Sequence, residues 1–220
     1  MVKANRAQTF YQQHVLNKLP GWRAKGRLLF KAPIGLAFIG VEMETSRWDT
    51  DDIPAFKFWF RSTYLHDERY LGMPHRLFID RPERLGWRLV SGEEELMAAD
   101  LLRAVTPLIA RVEPVLETPR TIVECFAQVA DELTASETWT LEMIACNHII
   151  CGSANAAIAK LERVIEGWQA RNESSMRLRD ACRSSLPSAM AVLHEWDANF
   201  LAFHRLEKFA DPNRWNAVRD

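Results

Sequence analysis

The 220-residue sequence predicts an α+β fold: an N-terminal helix and an antiparallel sheet of four to five strands, followed by an all-helical C-terminal region. Three observations carry this. Apolar residues alternate every two positions, between Pro and Gly breaks, up to about Ser91, and recur at helical spacing beyond it. Charge changes at the same place, from 15 Lys/Arg against 9 Asp/Glu in residues 1–90 to 13 against 20 in 91–220. Helix-breaking Pro and Gly also thin out past the switch. The chain therefore divides into a basic sheet lobe, 1–90, and an acidic-to-neutral helical lobe, 91–220, expected to fold as one compact unit.

The elements follow in order. Ala4, Ala7, Tyr11, Val15 and Leu19 fall near one face of a helix that Pro20-Gly21 ends. Arg27–Ala32 and Leu36–Thr45 are extended runs joined through Pro33-Ile34-Gly35 in hairpin fashion. Phe56, Phe58 and Phe60 alternate with Lys57, Trp59 and Arg61, the clearest half-buried strand of the chain. Weaker strands are expected at Arg76–Ile79 and Trp87–Val90.

Beyond the switch, Ser91 and Glu94 have the spacing of a capping box, and Glu93, Glu94 and Glu95 suit the positive end of a helix. Pro107 and Pro114 are expected to kink or split the helix that follows. Further helices are read from Thr118-Pro119, over Trp139–Cys151 after a second capping box at Thr134–Glu137, over Ala154–Glu166, and over Pro187–Phe209. Gly152 separates the second and third of these into a helical hairpin, a single unit short of the three that a solenoid needs.

Composition limits function. No run of 18 apolar residues exists, so a membrane-spanning helix is not expected, and the polar start lacks the apolar core of a signal peptide. The expected location is the cytoplasm. Cys125, Cys146, Cys151 and Cys182 lie in helix-like segments, as reduced thiols do in cytosolic proteins.

Candidate chemistry is sparse. Cys146, His148 and Cys151 share one helix but point in different directions at about 100° per residue, so they cannot meet on one ion. His66, Asp67 and His75 form a His/carboxylate group without diagnostic spacing. Asp197 and His204 sit two turns apart on the last helix, a surface placement. The loop containing Trp48, Asp49, Asp51 and Asp52 fails the EF-hand pattern at its fifth, sixth and twelfth positions. No dinucleotide, P-loop, hydrolase-elbow or zincin motif occurs, and no metal, cofactor or catalytic residue is assigned. An enzyme is the minority reading.

The sharper signal is charge. Residues 91–142 hold 11 acidic residues and 3 Arg, a concentration suited to a basic protein partner. Glu93, Glu94, Glu95, Asp100, Glu113 and Glu117 are the expected docking residues, with Trp48, Asp49, Asp51 and Asp52 as a second recognition loop. Nucleic-acid binding through Arg23, Lys25 and Arg27 is a third reading, disfavoured by the modest basic excess.

The order of Gly21-Trp22, Lys25-Gly26-Arg27-Leu28-Leu29-Phe30, a capped helix, Val105-Thr106-Pro107-Leu108 leading into Thr118-Pro119-Arg120-Thr121, and the hairpin at Gly152 resembles a group of bacterial proteins. These have an N-terminal α/β sheet and a C-terminal helical tail, and some lie beside secreted or contact-dependent toxins as immunity proteins. The resemblance implies a bacterial interaction protein that neutralises a cognate toxin, and it brings no catalytic residues.

Overall fold

A computed structural model of the chain describes residues 4–45, 54–66, 85–86, 92–115, 117–127, 138–167 and 173–216. The order is α1 (Ala4–Phe10), β1 (Trp22–Lys25), β2 (Leu28–Lys31), β3 (Ala37–Thr45), β4 (Pro54–Ser62), β5 (Leu85–Gly86), then α2 (Glu94–Val112), α3 (Pro119–Ala127), α4 (Thr138–Ile150), α5 (Ala154–Gly167), α6 (Glu173–Ser184) and α7 (Leu186–Phe203). The predicted α+β class, an N-terminal helix and antiparallel sheet followed by helices, is thus observed. Two compact units emerge: Met1–Ile34, Phe38–Phe60 and His75–Val112 form one, and Gly35–Ala37, Arg61–Pro74 and Glu113–Asp220 form the other. The recognition loop with Trp48, Asp49, Asp51 and Asp52, the expected strands at Arg76–Ile79 and Trp87–Val90, and the capping residues Ser91 and Thr134–Glu137 lie outside the described residues.

In the first unit, strands stand in sequence order β1-β2-β3-β4-β5. The antiparallel register sets Leu28 opposite Glu42, Leu29 opposite Val41 and Phe30 opposite Gly40. With side chains alternating across the sheet, Trp22, Leu29, Val41 and Met43 share one face with Phe56, Phe58 and Phe60, all of them buried. The N-terminal helix packs there: the Phe10 and Tyr11 rings lie 6.1 and 6.4 Å from that of Phe56. Tyr11 donates to the Arg27 carbonyl at 3.3 Å, and the Gly26 amide donates to Gln8 at 2.9 Å, fixing the β1–β2 turn under the helix.

The opposite face carries Arg23, Lys25, Leu28, Phe30, Phe38, Glu42 and Trp59, with the indole of Trp59 donating to Glu42 at 3.2 Å. Here Gly40 makes room for a neighbour, because a Cβ at that position would meet the Phe38 ring at 2.8 Å and the Leu29 carbonyl at 3.0 Å. Gly40→Ala is therefore expected to cost about 1–3 kcal/mol through overpacking. Urea denaturation would measure it, and a neutral substitution would show that Phe38 is not confined.

Several expectations need correcting. The first helix is not one regular α-helix to Leu19: after Phe10 it becomes a π turn over Tyr11–Val15, closed by the Leu16 amide on the Tyr11 carbonyl, then a 3-10 turn over Leu16–Lys18. Strand β1 precedes the first expected strand, and β2 starts at Leu28, not Arg27. Pro107 does not split α2, which runs on to Val112 with Pro107 exposed.

The second unit is built around α4, which packs against α3, α5 and α7 and is buried from Thr140 to Ile150 except at half-buried His148. A helix covered on all sides is apolar on all sides, as Leu141, Met143, Ile144, Ala145, Ile149 and Ile150 make it. Gly152, at φ +78°, ends it in a left-handed cap with the Ser153 amide on the His148 carbonyl at 2.7 Å. Thr118 caps α3, its hydroxyl accepting from the Thr121 amide at 3.1 Å, and Ser185 caps α7 by accepting from the Ser188 amide at 3.2 Å. The last helix ends at Phe203, earlier than the expected Phe209. Arg205 turns left-handed at φ +54°, and the amide of buried Leu206 reaches the Leu201 carbonyl at 2.7 Å.

Candidate functional site

The acidic candidates separate into distinct settings. Glu93 precedes α2, and Glu94, Glu95 and Asp100 lie in its first two turns, within the first unit; Glu113 and Glu117 belong to the second. At about 100° per residue, α2 turns Glu94 toward the line of its buried residues Met97, Ala98, Leu101 and Val105, while Glu95 and Asp100 diverge by about 140°. The acids of α2 therefore do not form one row. Glu94 accepts from the Gly92 amide at 2.7 Å. Its own backbone amide and then that bond hold its carboxyl below the usual glutamate range, aided by the nearby His14 and Arg6.

One face of α2 does combine charge with an apolar anchor. Leu96 is 63% exposed, the most open of the large apolar side chains among the described residues. Asp100 stands four residues after it, the spacing that places side chains side by side on a helix, and Glu93 three residues before it, just ahead of α2. Asp100 is paired with Arg103 one turn on, and both remain solvent-accessible.

The second unit holds a buried polar cluster. Glu142 of α4 is 2% exposed, and its Oε1 lies 2.5 Å from His66 Nδ1, just past β4. The His66 ring is further fixed edge-on to Trp196 at 5.8 Å. Tyr64 donates to Asn147 Oδ1 at 2.5 Å, while Asn147 donates to the Met143 carbonyl at 2.7 Å, one turn back. Arg61, expected on the polar side of its strand, is 1% exposed. It donates to the Ser62 and Leu65 carbonyls at 3.0 Å each, and its guanidinium lies 4.8 Å from the Phe200 ring centre.

Asp197 is also buried, not at the surface as expected. The chain beyond α7 folds back and brings Arg214 and Trp215 onto it: Oδ2 accepts from Arg214 Nε at 2.9 Å, Arg214 Nη2 at 2.7 Å and Trp215 Nε1 at 3.0 Å. Oδ1 of the same carboxylate is buried without a hydrogen-bond partner among the described residues.

These placements decide what chemistry each group can perform. The Cys146 thiol is fully buried, and burial with the neighbouring Glu142 charge pushes it well above its ordinary value, so it is not poised as a nucleophile. Burial and Lys160 lower the half-exposed His148 instead. Cys151 is exposed, its thiol raised chiefly by partial burial. Of the His66, Asp67 and His75 group, Asp67 and His75 lie outside the described residues. His66 has instead the buried Glu142, a pairing used to orient imidazoles in catalytic and metal sites. Among the described residues no group of three or more His, Cys, Asp or Glu side chains is placed to hold a metal ion. No described helix is long and apolar enough to cross a membrane.

No known family model matches the chain, and no curated protein or solved structure matches it either.

Proposed function

We propose that the chain is a protein-interaction protein whose docking surface is the outward face of the first turns of α2, and that its partner presents a basic surface. The observation that carries this reading is Leu96, an apolar side chain 63% exposed, with Glu93 just ahead of the helix and Asp100 one helical turn on. An exposed apolar anchor ringed by charge is the anatomy of an interface centre, where the anchor is desolvated and the charges guide approach. The excess of 11 acidic residues over 3 Arg in residues 91–142 supports a basic partner through longer-range attraction. The resemblance noted above gives the reading its finer form: a cytoplasmic bacterial immunity protein that binds a cognate toxin and covers its active surface.

Capture from the native host with Leu96→Asp and Glu93→Lys/Asp100→Lys beside the unaltered chain tests this. A captured protein, once purified and titrated, should bind each variant at least about tenfold more weakly, with a shallower salt dependence for the charge-reversed one. A partner that binds both variants as tightly as the parent would remove the reading.

A further inference from the structure

The outward face of α2 is complementary to itself. At about 100° per residue, Ala99, Asp100, Arg103, Pro107, Ala110 and Arg111 all fall within about 60° of Leu96. Asp100 is half-buried and the others are exposed. The buried line of the helix, Met97, Leu101, Val105 and Ile109, lies on the far side, so the core of the first unit does not use this face. Charge is split along it: Asp100 stands toward the start, Arg111 in the last turn, and no acid lies between them. Leu96, Ala99, Pro107 and Ala110 supply apolar surface, and the two alanines let another backbone come close.

We infer that this face docks a second copy of the chain, the two α2 helices antiparallel about a two-fold axis beside Arg103. Reversal end for end sets Leu96 against Ala110 of the second copy and Ala99 against its Pro107. It also brings Asp100 of one copy and Arg111 of the other to the same flank of the interface, where an extended Arg side chain spans the remaining gap. A parallel pair would set acid on acid, and a partner of one sign would suit one end of the face and oppose the other. The two Arg103 side chains meet at the axis, and their repulsion is relieved because each is already paired with its own Asp100. Pro107 has no amide, so the Arg103 carbonyl lacks its helical donor and can accept from the second guanidinium. A single helix of about 28 Å is less than a standard interface uses, so the dimer is weak, with a dissociation constant on the order of 10–100 µM. Such a pair covers Leu96 while the chain is free and yields to a tighter partner. The inference goes beyond the basic partner proposed above and does not depend on it.

Sedimentation equilibrium of the full chain from roughly 10 µM to 1 mM tests the inference, and a reversible monomer–dimer equilibrium is expected. Arg111→Glu should weaken dimerisation at least about tenfold by setting acid against acid. The same variant should bind a basic partner as well as the parent does, which separates self-docking from the function proposed above. Geometry is read by cross-linking with copper–phenanthroline, the unaltered chain serving as control for its own exposed thiols. Arg103→Cys, at the axis, should form a disulfide-linked dimer. Leu96→Cys should not, because the two positions stand about 21 Å apart along an antiparallel pair. A chain that stays monomeric to about 1 mM, an Arg111→Glu variant that dimerises like the parent, or Leu96→Cys cross-linking as readily as Arg103→Cys would each overturn the proposal.

Discussion

Asp197→Ala is expected to lower the unfolding free energy by about 3–5 kcal/mol, the scale on which removing one partner of a buried ion pair acts. The carboxylate is 1% exposed, and all three of its hydrogen bonds converge on Oδ2. Without it, the Arg214 guanidinium, 17% exposed, loses its carboxylate, and the Trp215 indole loses its acceptor. Trp215 also packs on His194 and Tyr64, at ring distances of 4.0 and 5.7 Å, so the loss should loosen the returning tail as a piece. Urea denaturation gives the magnitude, and protease cleavage within 204–216 reports the release. A loss below about 1 kcal/mol would mean that solvent already screens the pair. Arg214→Ala, which leaves the acid buried and unpaired, should be of similar size, and the double substitution should cost less than the two singles combined.

Arg61→Ala should be comparably severe, about 3–5 kcal/mol, because it removes the largest fully buried side chain among the described residues and the donor to two backbone carbonyls at once. Arg61→Met separates the two contributions: it keeps most of the volume and the contact with Phe200 while deleting every donor. A loss of roughly half the alanine value is expected if hydrogen bonding and filling matter equally. If methionine restores full stability, the guanidinium is dispensable and the side chain serves as packing alone. The difference between the two variants, read from the same denaturation curves, isolates the hydrogen-bonding contribution.

Local pattern made some of these elements legible and hid others. The Phe56, Phe58 and Phe60 alternation marked β4 correctly because its apolar face is buried against α1. It misplaced Arg61 because a two-residue period assigns a face but does not say whether the charged positions are buried as well. The turn at Gly152 was visible because only a left-handed residue closes that cap. By contrast α6 was missed: its buried stripe is Ser175, Leu178 and Cys182, helical in spacing but with serine at one of three positions. Strand β1 does alternate, as Trp22-Arg23-Ala24-Lys25, yet four residues after Pro20-Gly21 read equally well as a turn.

The polar cluster was the least legible part. His66 and Glu142 are 76 residues apart, and Tyr64 and Asn147 are 83 apart, distances over which no periodicity acts. Glu142 and Asn147 did carry a faint signal, as polar residues inside a stretch otherwise apolar all round. Such residues in a covered helix must find partners, although the partner's identity comes only from the fold. Asp197 was misjudged for a related reason, since its cations arrive from beyond the end of its own helix.

Among the described residues the sheet ends at β1, and the chemistry of that strand bears on self-association. A border strand is a template on which a second chain can extend a sheet, the first step of fibril growth. Here the border is only four residues long and carries Arg23 and Lys25. An incoming copy aligned antiparallel would bring its own two cations against these, in a segment too short to offset the repulsion with backbone hydrogen bonds. Charges at this edge would thus disfavour extension of the sheet by a second copy.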